Sequence, residues 1–195
     1  MERKMADYGK KVFIFLILVS LFLWLISCLI GDEKIFLFIN KKLENKILDN
    51  LFFYLFLPLF FFLPLLPFSM LFKKEKKLGF FSLISGPLCY LIGNLIKFIF
   101  RLPRPSSILP ARILGPWHIS PFSFPSTTTM LAFGFAIPIL LKKPKIGIFL
   151  LFLAILVGFS VIYTGYHFPR DVFAGILFST LMSFLIEKIY EKFIL

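Results

Sequence analysis

Residues 146–163 read IGIFLLFLAILVGFSVIY, a stretch with no charged residue. Its length is close to the roughly 20 residues a helix needs to cross a bilayer, and it is too continuous for an alternating strand or an amphipathic helix. Working outward, comparable apolar runs occupy 12–30, 51–72, 78–100, 126–141 and 172–190, the fourth being short. The 195-residue chain is 59% hydrophobic and 16% charged, with 29 phenylalanines. A soluble core of that size cannot hide so much apolar surface, so the solvent is lipid. The expected fold is all-α, an integral membrane bundle of six transmembrane helices in a single domain spanning 1–195.

Arg3, Lys4, Lys10 and Lys11 precede the first run. That run is too long for a signal-peptide core and no small-x-small site closes it, so it reads as an uncleaved span. Pro58, Pro64 and Pro67 in the second run and Pro138 in the fourth are expected to kink their helices. Lys73, Lys74, Lys76 and Lys77 follow the second run, and Lys142, Lys143 and Lys145 follow the fourth. By the positive-inside rule these turns and both termini lie in the cytoplasm, and the expected location is the cell inner membrane. In the first outward loop Lys34, Lys41, Lys42 and Lys46 are balanced by Asp32, Glu33, Glu44 and Asp49.

The third outward connector, 101–125, holds six prolines, three arginines, Trp117 and His118, and reads as turns with a short interfacial helix. Cations on the outer side need a reason, and anion binding supplies one. The net charge of +12 is otherwise a topology signal. No nucleic-acid motif accompanies it, so nucleic acid is not an expected partner. Cys28 and Cys89 fall inside apolar runs, where a thiol behaves as a small hydrophobe.

Three polar elements stand out, and the parity of crossings puts all three at the outer face. Lys97, Arg101 and Arg104, with Pro103 and Pro105, end the third run. They read either as an interfacial anchor or as half of an anion site, since an ammonium one turn inside an apolar run must snorkel or meet an anion. Ser126, Thr127, Thr128 and Thr129 open the fourth run, as an ordinary cap or as free N–H groups that hold an anion. Between the fifth and sixth runs lies Tyr163-Thr164-Gly165-Tyr166-His167-Phe168-Pro169-Arg170-Asp171. Asp171 is either a helix-capping acid near an interfacial His167 or the group that orients its imidazole for attack. His118 and His167 are the two histidines, and no Cys/His spacing suits a metal, so neither metal nor cofactor is expected.

Taken together, the order and spacing of these elements resemble the type 2 phosphatidic acid phosphatase superfamily, membrane lipid phosphatases with six helices and three motifs. The resemblance covers about half the chain. Lys97, six residues, Arg104-Pro105 matches the first motif. His167, three residues, Asp171 matches the end of the third, with Ser160 at that motif's serine. The resemblance implies His167 as nucleophile forming a phosphohistidine, Asp171 as its orienter, and Lys97 and Arg104 as a phosphate clamp. The second motif, Pro-Ser-Gly-His, reads Pro125-Ser126-Thr127-Thr128, so Thr128 replaces the histidine that protonates the leaving group. Val161 replaces the third motif's arginine.

Two compensations are expected: Arg170 as a substitute phosphate contact beside Ser126, Thr127 and Thr128, and His118 as the acid. A site without its acid favours a leaving group that needs little protonation. The implied activity is removal of phosphate from a phosphorylated or diphosphorylated lipid such as a polyprenyl diphosphate, at the periplasmic or exterior face. A phospholipid-binding protein without turnover, a lipid phosphotransferase and an anionic-lipid transporter are the alternatives.

Overall fold

The computed structural model describes residues 2–115 and 120–194, which form helices and one isolated antiparallel bridge, Pro103 to Phe122. Helix α1 is Glu2–Ile30 and the short α2 is Asp32–Leu37. The second apolar run becomes α3, Lys46–Met70, which is not one continuous α-helix. It passes from α to π geometry at Leu51–Phe56, then resumes after Pro58 and again after Pro64. Each proline lacks the N–H that would continue the ladder, so the expected interruptions occur at these two positions. Then come α4, Lys76–Phe100; the one-turn α5, Pro105–Ile108, in the connector; α6, Thr127–Lys142; α7, Pro144–Tyr163; and α8, Pro169–Ile194.

Five of these helices, α1, α3, α4, α7 and α8, are long and apolar enough to cross a membrane, whereas α6 is a shorter apolar helix of 16 residues. Its shortness fits its place. It is the hub of the bundle, packed against α4, α7, α8 and α1, and thirteen of its residues are buried.

Lipid tails are as apolar as leucine, so burying hydrocarbon does not drive these helices together; close packing and interhelical hydrogen bonds do. Large apolar side chains accordingly face outward, with Leu29, Phe72 and Ile99 all more than 70% exposed, while Ser82, Ser85, Ser179, Thr180 and Ser183 are fully buried. Ser82 Oγ donates to the Phe135 carbonyl at 2.7 Å, and Ser85 and Ser183 hydroxyls meet at 3.0 Å. The α4–α6 crossing depends on small residues: a Cβ added to Gly134 would lie 2.8 Å from Gly86 Cα.

The basic turns meet at one end of the bundle, where Lys143 reaches Glu75 at 3.0 Å and Lys142 reaches Glu187 at 2.8 Å. The three polar elements meet at the other end. There the connector is tied down by Asn40, whose amide donates to the Arg112 and Tyr163 carbonyls, both at 2.8 Å. Arg112 in turn grips Asp49 at 2.7 Å, and Asp49 also accepts from Tyr163 Oη at 2.6 Å. Arg112 is thus a connector cation paired with Asp49 of α3. Gly165, at φ +93°, lies under this strap where any Cβ would strike the Arg112 carbonyl oxygen.

Candidate functional site

Lys97 sits in the last turn of α4, and Arg101 closes that helix in a left-handed conformation. The chain then returns through the Pro103–Phe122 bridge, and Ser123 N–H bonds the Leu102 carbonyl at 2.8 Å. This return lays the 122–123 peptide over Lys97, whose Nζ donates to the Phe122 and Ser123 carbonyls at 3.1 and 3.3 Å. One ammonium N–H remains for a ligand. Ser126 is the N-cap of α6, as the sequence led one to expect, with its Oγ accepting from Thr129 N–H at 3.4 Å and Thr129 Oγ1 at 2.9 Å. The N–H groups of Thr127 and Thr128 are left at the positive end of the helix.

Pro169 begins α8, and Asp171 lies in its first turn. Asp171 is a cap and also lies beside the imidazole. Its Oδ2 accepts from Phe168 N–H at 3.0 Å, a cap, and the same oxygen lies 3.4 Å from His167 Nδ1. A third group joins them: the Ser123 hydroxyl, fully buried, donates to Asp171 Oδ2 and lies 3.3 Å from His167 Nδ1. On the other side, His167 Nε2 is 3.4 Å from Arg104 Nη1.

These contacts settle the tautomer. An ionised carboxylate only accepts and a guanidinium only donates, so Nδ1 carries the proton and the Nε2 lone pair faces Arg104. Burial, reinforced by the nearby Lys97 and Arg104 charges and opposed by Asp171, depresses the His167 pKa to about 3. The imidazole is neutral at physiological pH. Burial also lowers Arg104 to about 10, which leaves it cationic. Its Nε and Nη1 are aimed by the Ser120 carbonyl at 2.6 Å and the Tyr166 carbonyl at 2.7 Å.

Lys97, Arg104, Thr127, Thr128 and His167 line one cavity, together with Ser120 and Val161. Its far wall is made by Leu57 and Phe60 of α3 and by Tyr90 and Asn94 of α4. The N-terminal half of α3 packs on α7 while its C-terminal half packs on α4, so α3 and α4 separate toward the site. Arg170 does not follow the sequence expectation. Its Nε pairs with Asp32 Oδ2 at 3.4 Å, its backbone N–H donates to Asp32 Oδ1 at 2.9 Å, and its guanidinium stacks over Phe168. The buried carboxylate of Asp32 draws it away from the cavity. His118 falls outside the described residues.

Ser123 and Asn94 are the residues that sequence reasoning missed. A serine in a proline-rich connector carries no signal of its own. Asn94 did carry one, as an amide within an apolar span and one turn before Lys97. Among the described residues no group of His, Cys, Asp or Glu is arranged to hold a metal ion.

The family model described as the PAP2 superfamily matches residues 75–194, which include every residue of the cavity's polar wall. The chain is 31% identical over 129 residues to an undecaprenyl-diphosphatase of Sulfolobus acidocaldarius, covering 65% of this chain and 62% of the relative. It is 32% identical over 112 residues to the undecaprenyl-diphosphatase BcrC of Bacillus subtilis, covering 57% and 58%. The chain therefore spans about three fifths of the length of these curated relatives. The crystal structure of Aquifex aeolicus LpxE superposes with a TM-score of 0.63 at 30% identity, covering 80% of this chain and 93% of that one. A PAP2-type phosphatidylglycerolphosphate phosphatase from Bacillus subtilis shares the fold, with a TM-score of 0.64 at 24% identity over 93% of this chain and 96% of that one. With the family model matching well over half of its length and the three polar elements converging on one cavity, the chain belongs to the PAP2 superfamily.

Proposed function

We propose that this protein is a membrane lipid phosphatase that removes the terminal phosphate of a lipid diphosphate of the polyprenyl type through a phosphohistidine. The observation that carries this reading is the neutral His167, held with its Nε2 lone pair toward a cavity that Arg104, Lys97 and the α6 N-terminus line with donors. A phosphate in that cavity accepts from Arg104, Lys97 and the Thr127 and Thr128 N–H groups. Nε2 attacks phosphorus as the bond to the leaving oxygen breaks. Asp171 then stabilises the positive charge that develops on the imidazole. Water attacks the phosphohistidine in the second step, electrons return to Nε2, and inorganic phosphate departs with both protons of the water.

The relatives named as undecaprenyl-diphosphatases support the substrate class, and so does the leaving-group argument. A monoester needs its alkoxide protonated, and Thr128 cannot do that as an imidazolium would. The divergence of α3 from α4 gives the lipid tail a route between helices past Leu57, Phe60 and Tyr90. The topology belongs to the same reading. With α6 as a sixth, short span, the two lysine turns and both termini face the cytoplasm and His167 opens to the outer face of the inner membrane.

Val161 on the cavity wall, at the position of the family's arginine, favours one other reading: a phospholipid-binding protein without turnover. Phosphate release from farnesyl diphosphate, farnesyl monophosphate and phosphatidic acid by the purified protein, with His167→Ala as control, tests both. Release that His167→Ala abolishes is expected. Vanadate binding with no release from any of the three refutes the hydrolase.

A further inference from the structure

The donors around His167 do not account for all the polar surface of the cavity. Asn94 faces it from α4, one turn and about 4.5 Å of helix rise below Lys97, and Thr128 faces it from the start of α6. The two helices are drawn together at this level: a Cβ on Gly93 would lie 2.6 Å from Met130 Sδ and 2.9 Å from Thr127 Cγ2. Their neighbours Asn94 and Thr128 therefore stand on adjoining walls. One amide N–H of Asn94 is bonded to the Tyr90 carbonyl of its own helix at 2.9 Å, which leaves the other N–H free. A carboxamide in an apolar span costs stability and calls for a ligand or partner that uses it. The cavity turns apolar just beyond, at Tyr90, Phe60 and Leu57.

We propose that Asn94 and Thr128 form a second phosphate subsite, which holds the phosphoryl group that stays on the lipid while the terminal phosphate is transferred to His167. This rests on the hydrolase reading above and deepens it. When Nε2 bonds the terminal phosphorus, the bridging oxygen leaves with the bonding electron pair as part of a lipid monophosphate. The extra negative charge is spread over that phosphate, and hydrogen bonds from the Asn94 amide and the Thr128 hydroxyl take it up. No proton has to be delivered. The subsite explains how the site works without a histidine at position 128, and it makes diphosphate recognition a property of these two side chains.

Farnesyl diphosphate and farnesyl monophosphate share one tail, so their ratio of kcat/KM isolates the second phosphate. Asn94→Leu and, separately, the isosteric Thr128→Val are expected to lower that ratio by about tenfold, the effect of losing one hydrogen bond to a charged group. A ratio within twofold of the parent protein in both variants overturns the proposal. Binding of farnesyl methylenediphosphonate against farnesylphosphonate provides a readout that does not need turnover. A preference for the bisphosphonate that falls with either variant supports the subsite, and a preference absent in the parent protein or unchanged in both variants overturns it. If the parent protein hydrolyses neither lipid, the hydrolase reading fails by itself and the subsite stands or falls on the binding comparison.

Discussion

Replacing Ser123 by alanine probes how the nucleophile is held. The hydroxyl is fully buried behind His167, donates to Asp171 Oδ2, and lies 3.3 Å from His167 Nδ1. Removing it leaves Asp171 Oδ2 with Phe168 N–H at 3.0 Å and the more distant Nδ1 at 3.4 Å, while Asp171 Oδ1 already has no hydrogen-bond partner. A hydrogen bond to a charged acceptor contributes about 1.5–3 kcal/mol. At about 1.4 kcal/mol per factor of ten, that is roughly a ten- to 150-fold loss in kcat when the interaction strengthens as the imidazole gains charge. Ser123 is a positioning residue and does not line the cavity, so KM should change by less than about threefold. The assay is steady-state release of phosphate in detergent, with acid-quenched phosphoenzyme measured in the first turnover. Retained vanadate binding shows that the fold survives. A kcat within twofold of the parent protein, or a change confined to KM, refutes the reasoning.

Thr128→His places an imidazole where the family's acid stands, and turnover of phosphatidic acid should rise at least tenfold relative to farnesyl diphosphate; no gain on the monoester would count against the leaving-group argument. Because burial depresses His167 to about 3, its imidazole should stay neutral from pH 8 down to pH 5, which nitrogen chemical shifts of the two labelled histidines can read. Charging near pH 6.5 would contradict the geometry. Below pH 6.5 the unfolded chain binds a proton that the folded chain refuses, so this histidine's contribution to stability falls as pH drops from 6.5 toward 3. Gly134→Val forces a side chain into the α4–α6 crossing beside Gly86 and Ser85, at a cost of about 1–3 kcal/mol or more, and should lower the melting temperature in detergent sharply; an unchanged transition would show that the helices can separate.

The membrane class was legible because hydropathy is a local property, and an apolar run long enough to span a bilayer has no other stable environment. The same holds for Ser126 as N-cap and for the helix start at Pro169, which depend on a few consecutive residues. Lys97, Arg104, His167 and Asp171 were legible for a different reason: their spacings follow a three-motif pattern, so their meeting was implied before any contact was seen. Arg170 was misjudged because its partner, Asp32, lies 138 positions earlier, and no local pattern reports such a pair. The grip of Arg112 on Asp49, across 63 positions, is equally invisible to a local pattern.

The sequence by itself thus determined the solvent, the helical class, the positions of the apolar runs and the four residues that the motifs name. Tertiary structure alone decided that the short apolar helix α6 is the hub, that α3 packs on α7 in its first half and on α4 in its second, and that Ser123 stands behind the nucleophile while Asn94 lines the cavity. The physical reason is the reach of the forces involved. Partition into lipid and helix capping act within a turn or a span of chain, whereas close packing and buried hydrogen bonds join residues that only folding brings together.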